Sequence, residues 1–113
     1  MSEFGDGNRR DPEHEVEELR AAMRRASRLL RAIANERRLL ILRHLLDGER
    51  SVGELQSLIG ISQSALSQHL ARLRAEELVV TRREAQSIFY AVAEPAVADI
   101  IAVLQRHIGR PVP

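Results

Sequence analysis

Apolar residues recur at three- and four-residue intervals through five stretches of this chain, and between the fourth and fifth lie two β-branched, aromatic-containing runs. The pattern predicts five helices and one β-hairpin, a mainly α (α+β) fold. Over residues 14–34 the series Val16, Leu19, Met23, Ala26, Leu29, Leu30 and Ile33 has helical period, with arginine and glutamate on the other faces. This helix is longer than so small a domain needs, so one side is expected to pack against a second subunit. Asn35 is a good N-cap and Glu36 places negative charge on a first turn, so a second helix is expected to about Leu46. Leu39, Leu40, Ile41, Leu42, Leu45 and Leu46 make it apolar on most sides, the central core helix, and Asp47-Gly48 ends it.

The next stretch, SVGELQSLIGISQSALSQHLARLR, reads as two short helices joined by a tight turn. Ser51 and Glu54 have capping-box spacing, and Val52, Leu55, Leu58 and Ile59 form one apolar face. Gly60 suits a left-handed C-cap, Ile61 pins the turn, and Ser62 can cap the following helix, expected to stop near Glu77. In that helix Leu66, Leu70 and Leu73 fall within a narrow inward wedge, while Ser64, Ser67, Gln68, Ala71 and Arg72 point outward. The outward face is polar, small-residued and free of acid. Its hydroxyls and amides can meet phosphates and base edges, on a helix slim enough for a groove about 12 Å wide. Helix, three-residue turn and slim polar helix is the helix-turn-helix arrangement.

Residues 78–92 read as a β-hairpin with its turn near Glu84-Ala85-Gln86. Arg82 and Arg83 lie close to the tip, and a basic hairpin beside a recognition helix is a wing, placed to touch DNA backbone or minor groove. Pro95 then opens a last helix, where its missing amide is not needed, and Val97, Ile100, Ile101, Leu104 and Ile108 give it an apolar stripe ending at Gly109. That stripe is expected to pair with the first helix, within or across subunits. Residues 1–13, rich in glycine, asparagine and charge, are expected to be a flexible segment ahead of a single domain over residues 14–110.

Composition narrows the chemistry. The 113 residues suffice for one modest core, and 44% hydrophobic with 29% charged residues is ordinary for a soluble globular domain. No apolar run approaches the ~20 residues of a membrane span, and a secretory signal core is absent, so a cytoplasmic protein is expected. The absence of cysteine removes disulfides, thiolate metal sites and cysteine nucleophiles together. A net charge of +1 decides little, because DNA binding needs positive charge only at the contact face. All 17 basic residues are arginine, whose forked guanidinium suits phosphate and guanine. No acid–base pair or nucleophile stands in a catalytic frame, so an enzyme is not expected.

Three stretches carry a resemblance: Ala34-Asn35-Glu36-Arg37-Arg38-Leu39-Leu40-Ile41-Leu42, then Ser62-Gln63-Ser64-Ala65-Leu66-Ser67-Gln68-His69-Leu70-Ala71-Arg72-Leu73, and Leu78-Val79 with Thr81-Arg82-Arg83 and Phe89-Tyr90. Over roughly residues 28–108 the chain resembles the ArsR/SmtB family of bacterial repressors. The resemblance implies a winged helix-turn-helix homodimer, joined through its first and last helices, on a pseudo-palindromic operator. The family's sensing sites are where this sequence departs. The start of the third helix, Ser51 to Leu55, has no thiolate; in the last helix Ala96 and Arg110 stand where two zinc-type ligands are expected, leaving Glu94 and His107. Arg43 stands where sulfide-sensing members are expected to carry a cysteine. What remains is similar to the cysteine-free, metal-independent branch, with no cofactor.

Gln63, Ser64, Ser67 and Gln68 are the expected base readers, with Ser62 at the helix start; glutamine pairs bidentately with adenine, so A·T-rich half-sites are expected. Arg72, Arg82 and Arg83 would hold phosphates, and Gln86 would reach the minor groove. His69, at the edge of the apolar wedge, is placed either to pack or to touch DNA. The expected dimer surface is Val16, Leu19, Met23 and Leu30 with Val97, Ile100, Ile101, Leu104 and Ile108. His14, His44 and His107 have no ligand spacing within one helix, and Asp99 with His107 reads as a solvated or dimer-edge pair. Ala85 stands where many relatives have glycine, so a different turn is expected at the tip. Two alternatives remain: a metal- or ligand-gated sensor on the same fold, and a helical module that holds a partner protein without DNA.

Overall fold

The computed structural model describes residues 11–109; of the flexible segment expected over residues 1–13, residues 1–10 lie outside them, as does Arg110. Helix α1, Pro12–Ile33, begins two residues before the expected start. The Asp11 carboxylate caps it, accepting from the His14 amide at 2.7 Å, and Pro12 sits in the first turn. Residues 11–13 therefore belong to the helix start. Helix α2, Glu36–Leu45, is capped by Asn35, whose side-chain oxygen accepts from the Arg37 and Arg38 amides.

Strand β1, Arg50–Ser51, had no signature in the sequence, because two residues cannot show alternation. Helix α3, Val52–Ile59, has the full capping box: the Glu54 amide donates to Ser51 Oγ at 3.1 Å, and the Ser51 amide donates to Glu54 Oε1 at 2.8 Å. Gly60, at φ +76°, makes the turn, and Ser62 caps helix α4, Gln63–Ala75, accepting from the Ala65 amide at 3.1 Å. Helix α4 ends two residues short of the expected Glu77. Glu77 itself takes φ +62°, and the Leu78 and Glu77 amides bond back to the Leu73 and Arg74 carbonyls, a Schellman closure with glutamate in the position glycine usually fills.

Strands β2, Val79–Glu84, and β3, Ser87–Val92, form the hairpin, and the antiparallel sheet runs β1-β3-β2. Arg50 faces Tyr90 and Ser51 faces Phe89, so β1 ties the hairpin's base to the start of α3. The tip is the two-residue loop Ala85-Gln86, and Ala85 has φ +57°. The expected change of turn type is not what relieves this position: alanine takes the left-handed backbone, at about 1–2 kcal/mol of strain. Helix α5, Pro95–Ile108, closes the chain.

One core holds these elements together: Ile41, Leu42 and Leu45 of α2 against Leu55, Leu66, Leu70 and Leu73, roofed by Leu78, Val79, Val97 and Ile101, with Ala32 and Ile33 from the end of α1. Val97 and Ile101 are thus inside the protomer, a correction to their assignment to the dimer surface. The α5 stripe is a single face, but the helix runs off the core after Ile101, so only its last turns, with Leu104 and Ile108, stay uncovered. Helix α1 overhangs still further. Its residues 11–25 are all exposed, and the molecule measures 62 × 38 × 20 Å with a radius of gyration of 18.8 Å, against about 13 Å for a compact chain near this length.

Candidate nucleic-acid interface

Three buried leucines, Leu66, Leu70 and Leu73, fix α4 in rotation, and the opposite side follows from helical geometry. Ser62, Gln63, Ser64, Ser67, Gln68, Ala71 and Arg72 are all exposed. No acid lies in the first turn of α4, so nothing opposes the positive end of its dipole, while Arg72 and Arg74 occupy the last turn. The Ser62 hydroxyl oxygen is engaged in the cap, which leaves its proton to donate.

Arg74 was missed as a candidate. Seven residues beyond Ser67 it returns to the same side of the helix, and with Ser67, Ala71 and Tyr90 it lines a hollow of about 360 Å³ between α4 and β3. The seven-residue spacing was the available signal.

His69 is half-buried and turned toward α2, where its Nδ1 lies 3.3 Å from Arg38 Nη1. Desolvation first, and the Arg38 and Arg37 guanidinium charges second, push its pKa below the usual imidazole value. Both effects favour the neutral ring.

The two hairpin arginines part company. Residues directly opposite across a ladder share a face, so Arg82 goes with Phe89, and Arg83 with Ile88. Tyr90, on the Arg83 side, lines the α4 hollow, whereas Arg82 is on the reverse face. There Glu49 takes Arg82 in a two-toothed pair, Nε to Oε2 at 2.8 Å and Nη2 to Oε1 at 2.7 Å. Glu84 accepts from Nη1 at 2.8 Å, and Phe89 lies under the guanidinium, 4.7 Å from its carbon to the ring centroid. In the DNA-free protein Arg82 is thus engaged by two carboxylates and braces the wing. Those bonds hold the Glu49 carboxyl below its usual range. Arg83 and, at the tip, Gln86 are exposed.

The protomer also carries an apolar surface. Val16, Leu19, Met23 and Leu30 of α1 are about half exposed, Ile108 is 80% exposed, and Leu40 and Val103, not foreseen as surface residues, join them. Ile100 is half-buried. A groove of about 520 Å³ between α2 and α5 is lined by Leu39, Leu40, Ile101, Leu104 and Ile108. Among the described residues no three histidine, aspartate or glutamate side chains gather as a metal-holding group, and Glu94 caps α5 by accepting from the Ala96 amide at 3.1 Å. His107 and Asp99 are exposed. No helix of the described residues is long and apolar enough to cross a membrane.

A capped helix, a glycine turn, an acid-free second helix and a braced hairpin beside it define a winged helix-turn-helix protein, built to set one helix in the major groove. Residues 35–81 match the family described as bacterial regulatory protein, arsR family. The transcriptional activator HlyU of Vibrio cholerae is 53% identical over 91 residues, 80% of this chain and 84% of that protein. Among solved structures, NolR from Sinorhizobium fredii superposes with a TM-score of 0.74 at 43% identity, covering 91% of this chain and 98% of that one. The transcriptional repressor BigR from Xylella fastidiosa gives 0.77 at 35% identity, covering 84% and 97%. The chain belongs to the arsR family of bacterial regulatory proteins. It is a DNA-binding transcriptional regulator.

Proposed function

We propose that the protein acts in the cytoplasm as a homodimeric repressor, which occupies a pseudo-palindromic operator without a metal cofactor. The observation that carries this reading is the acid-free outward face of α4, held in fixed rotation by three buried leucines. Gln63, Ser64, Ser67 and Gln68 read base edges from that face, Ser62 and Arg72 meet phosphate, and Arg83 and Gln86 extend contact from the wing. Dimerisation is supported by the large apolar residues left uncovered on α1 and at the end of α5, which water would otherwise face. BigR, at 35% identity, is named a repressor and HlyU an activator, so the sign of regulation rests on where the operator lies relative to the promoter. Metal independence is supported by the lack of cysteine and by the engagement of Glu94 in the α5 cap.

Fluorescence anisotropy against a duplex from the gene's own upstream region and a shuffled duplex, at about 150 mM salt, tests the reading. A preference of ~10³ or more is expected. Equal binding to both duplexes, unchanged by added zinc or nickel, would remove sequence-specific repression.

A further inference from the structure

On α2, Arg38 stands three, four and seven residues before Ile41, Leu42 and Leu45, at the N-terminal end of that helix's buried stripe. An arginine there needs acceptors, and it has three. Nε donates to the Ala32 carbonyl, Nη2 to the Arg31 carbonyl at 3.3 Å, and Nη1 reaches His69 Nδ1 at 3.3 Å. Two of these are free carbonyls at the end of α1; the third is on the recognition helix. Because a guanidinium cannot accept, the imidazole must offer its Nδ1 lone pair and carry its proton on Nε2. The inward anchors of α4 are otherwise leucines, which set its rotation on the core but make no directional bond to α1. His69 follows Gln68 directly.

Resting on the reading above, we propose that Arg38 and His69 are positioning residues: their hydrogen bond locks the recognition helix to the carbonyl end of α1, and so fixes the base-reading face relative to the dimer surface. Protonating His69 removes the acceptor and places a cation among guanidinium groups. Arg38 and Arg37 face it from α2; Arg72, on α4 itself, acts on Arg38. From α1 the link takes main-chain carbonyls, and Arg28 of that helix pairs with Glu76, the C-cap residue of α4, at 3.6 Å.

The test uses H69L, which removes the acceptor without removing charge, R38K, which keeps charge but loses the fork, and the double variant. Preference for the operator over shuffled DNA is expected to fall roughly tenfold in each single variant, at every base position of the half-site alike, and no further in the double. H69Q, which restores an acceptor, recovers part of it. Lowering the pH from about 7.5 to 5.5 reduces the preference of the wild type and leaves that of H69L flat. Additive losses, or a loss confined to one base position, would overturn the proposal in favour of a direct His69 contact. Nitrogen NMR of the DNA-free protein reads the link independently of any operator: the Nε2–H tautomer is expected at neutral pH and is disturbed in R38K. An unchanged imidazole in R38K overturns the link even if specific DNA binding stands, whereas a wild type without operator preference overturns the DNA reading alone.

Discussion

Helices α4 and α1 are built on opposite terms. The 13 residues of α4 place three leucines in the core, and its free side is polar. The 22 residues of α1 place only Ala32 and Ile33 there, and its free side carries Val16, Leu19, Met23 and Leu30. The helix proposed to read DNA is complete within one protomer; the helix proposed to meet a second copy is not. A reading surface has to exist before its ligand arrives, because the orientation of Gln63, Ser64, Ser67 and Gln68 depends on a rotation already fixed. An association surface can remain apolar and unfinished, since a second copy completes it.

The largest expected effect on this contrast comes from the core. Leu66→Ala should destabilise the fold by about 2–5 kcal/mol in chemical denaturation, because the cavity opens beneath a helix that is otherwise tightly seated. Leu19→Ala is expected to leave the unfolding of dilute monomer within about 0.5 kcal/mol, yet weaken dimerisation by about 1–2 kcal/mol in sedimentation equilibrium. An unchanged dimer constant would place the interface elsewhere.

The wing separates the same way on a smaller scale. Arg83→Ala should flatten the salt dependence of DNA affinity by about one unit of slope, with equal loss on specific and random duplexes. Arg82→Ala should leave the slope unchanged, since its charge is already met by Glu49 and Glu84. The brace has its own pH signature. The folded-state pKa of Glu49 is depressed, so its contribution is present above the ordinary carboxylate value of 4.5 and is lost as pH falls below it. Amide protection factors in β2 and β3, corrected for the intrinsic pH dependence of exchange, should therefore fall on acidification before those of the helices. Smallest is Ala85→Gly, expected to raise stability by about 0.5–1 kcal/mol, the relief of a left-handed alanine less the added entropy of glycine.

Periodicity revealed the five helices and the hairpin because each buries one face, and capping residues located most helix starts. It could not separate the two uses of the α5 stripe. Val97 and Leu104 lie on the same side of that helix, and only the position at which the core ends makes one buried and the other exposed. Pairs remote in sequence were equally hidden: Glu49 lies 33 residues from Arg82, and Arg38 lies 31 from His69. An arginine on the buried stripe of α2 was nonetheless a legible anomaly, as was the alternation that turns Arg82 and Arg83 to opposite faces. The base-reading face was more accessible to sequence reasoning, because it is what remains of a short amphipathic helix once its leucines are assigned.

Hydroxyl-radical footprinting on the upstream duplex tests the central claim most directly, that two copies of this chain present paired reading helices to DNA. Two protected patches about one helical turn apart on one side of the duplex, both lost in a variant of Leu19 or Met23 that no longer dimerises, are the predicted result. A single patch, or protection that survives as the dimer is lost, would contradict it.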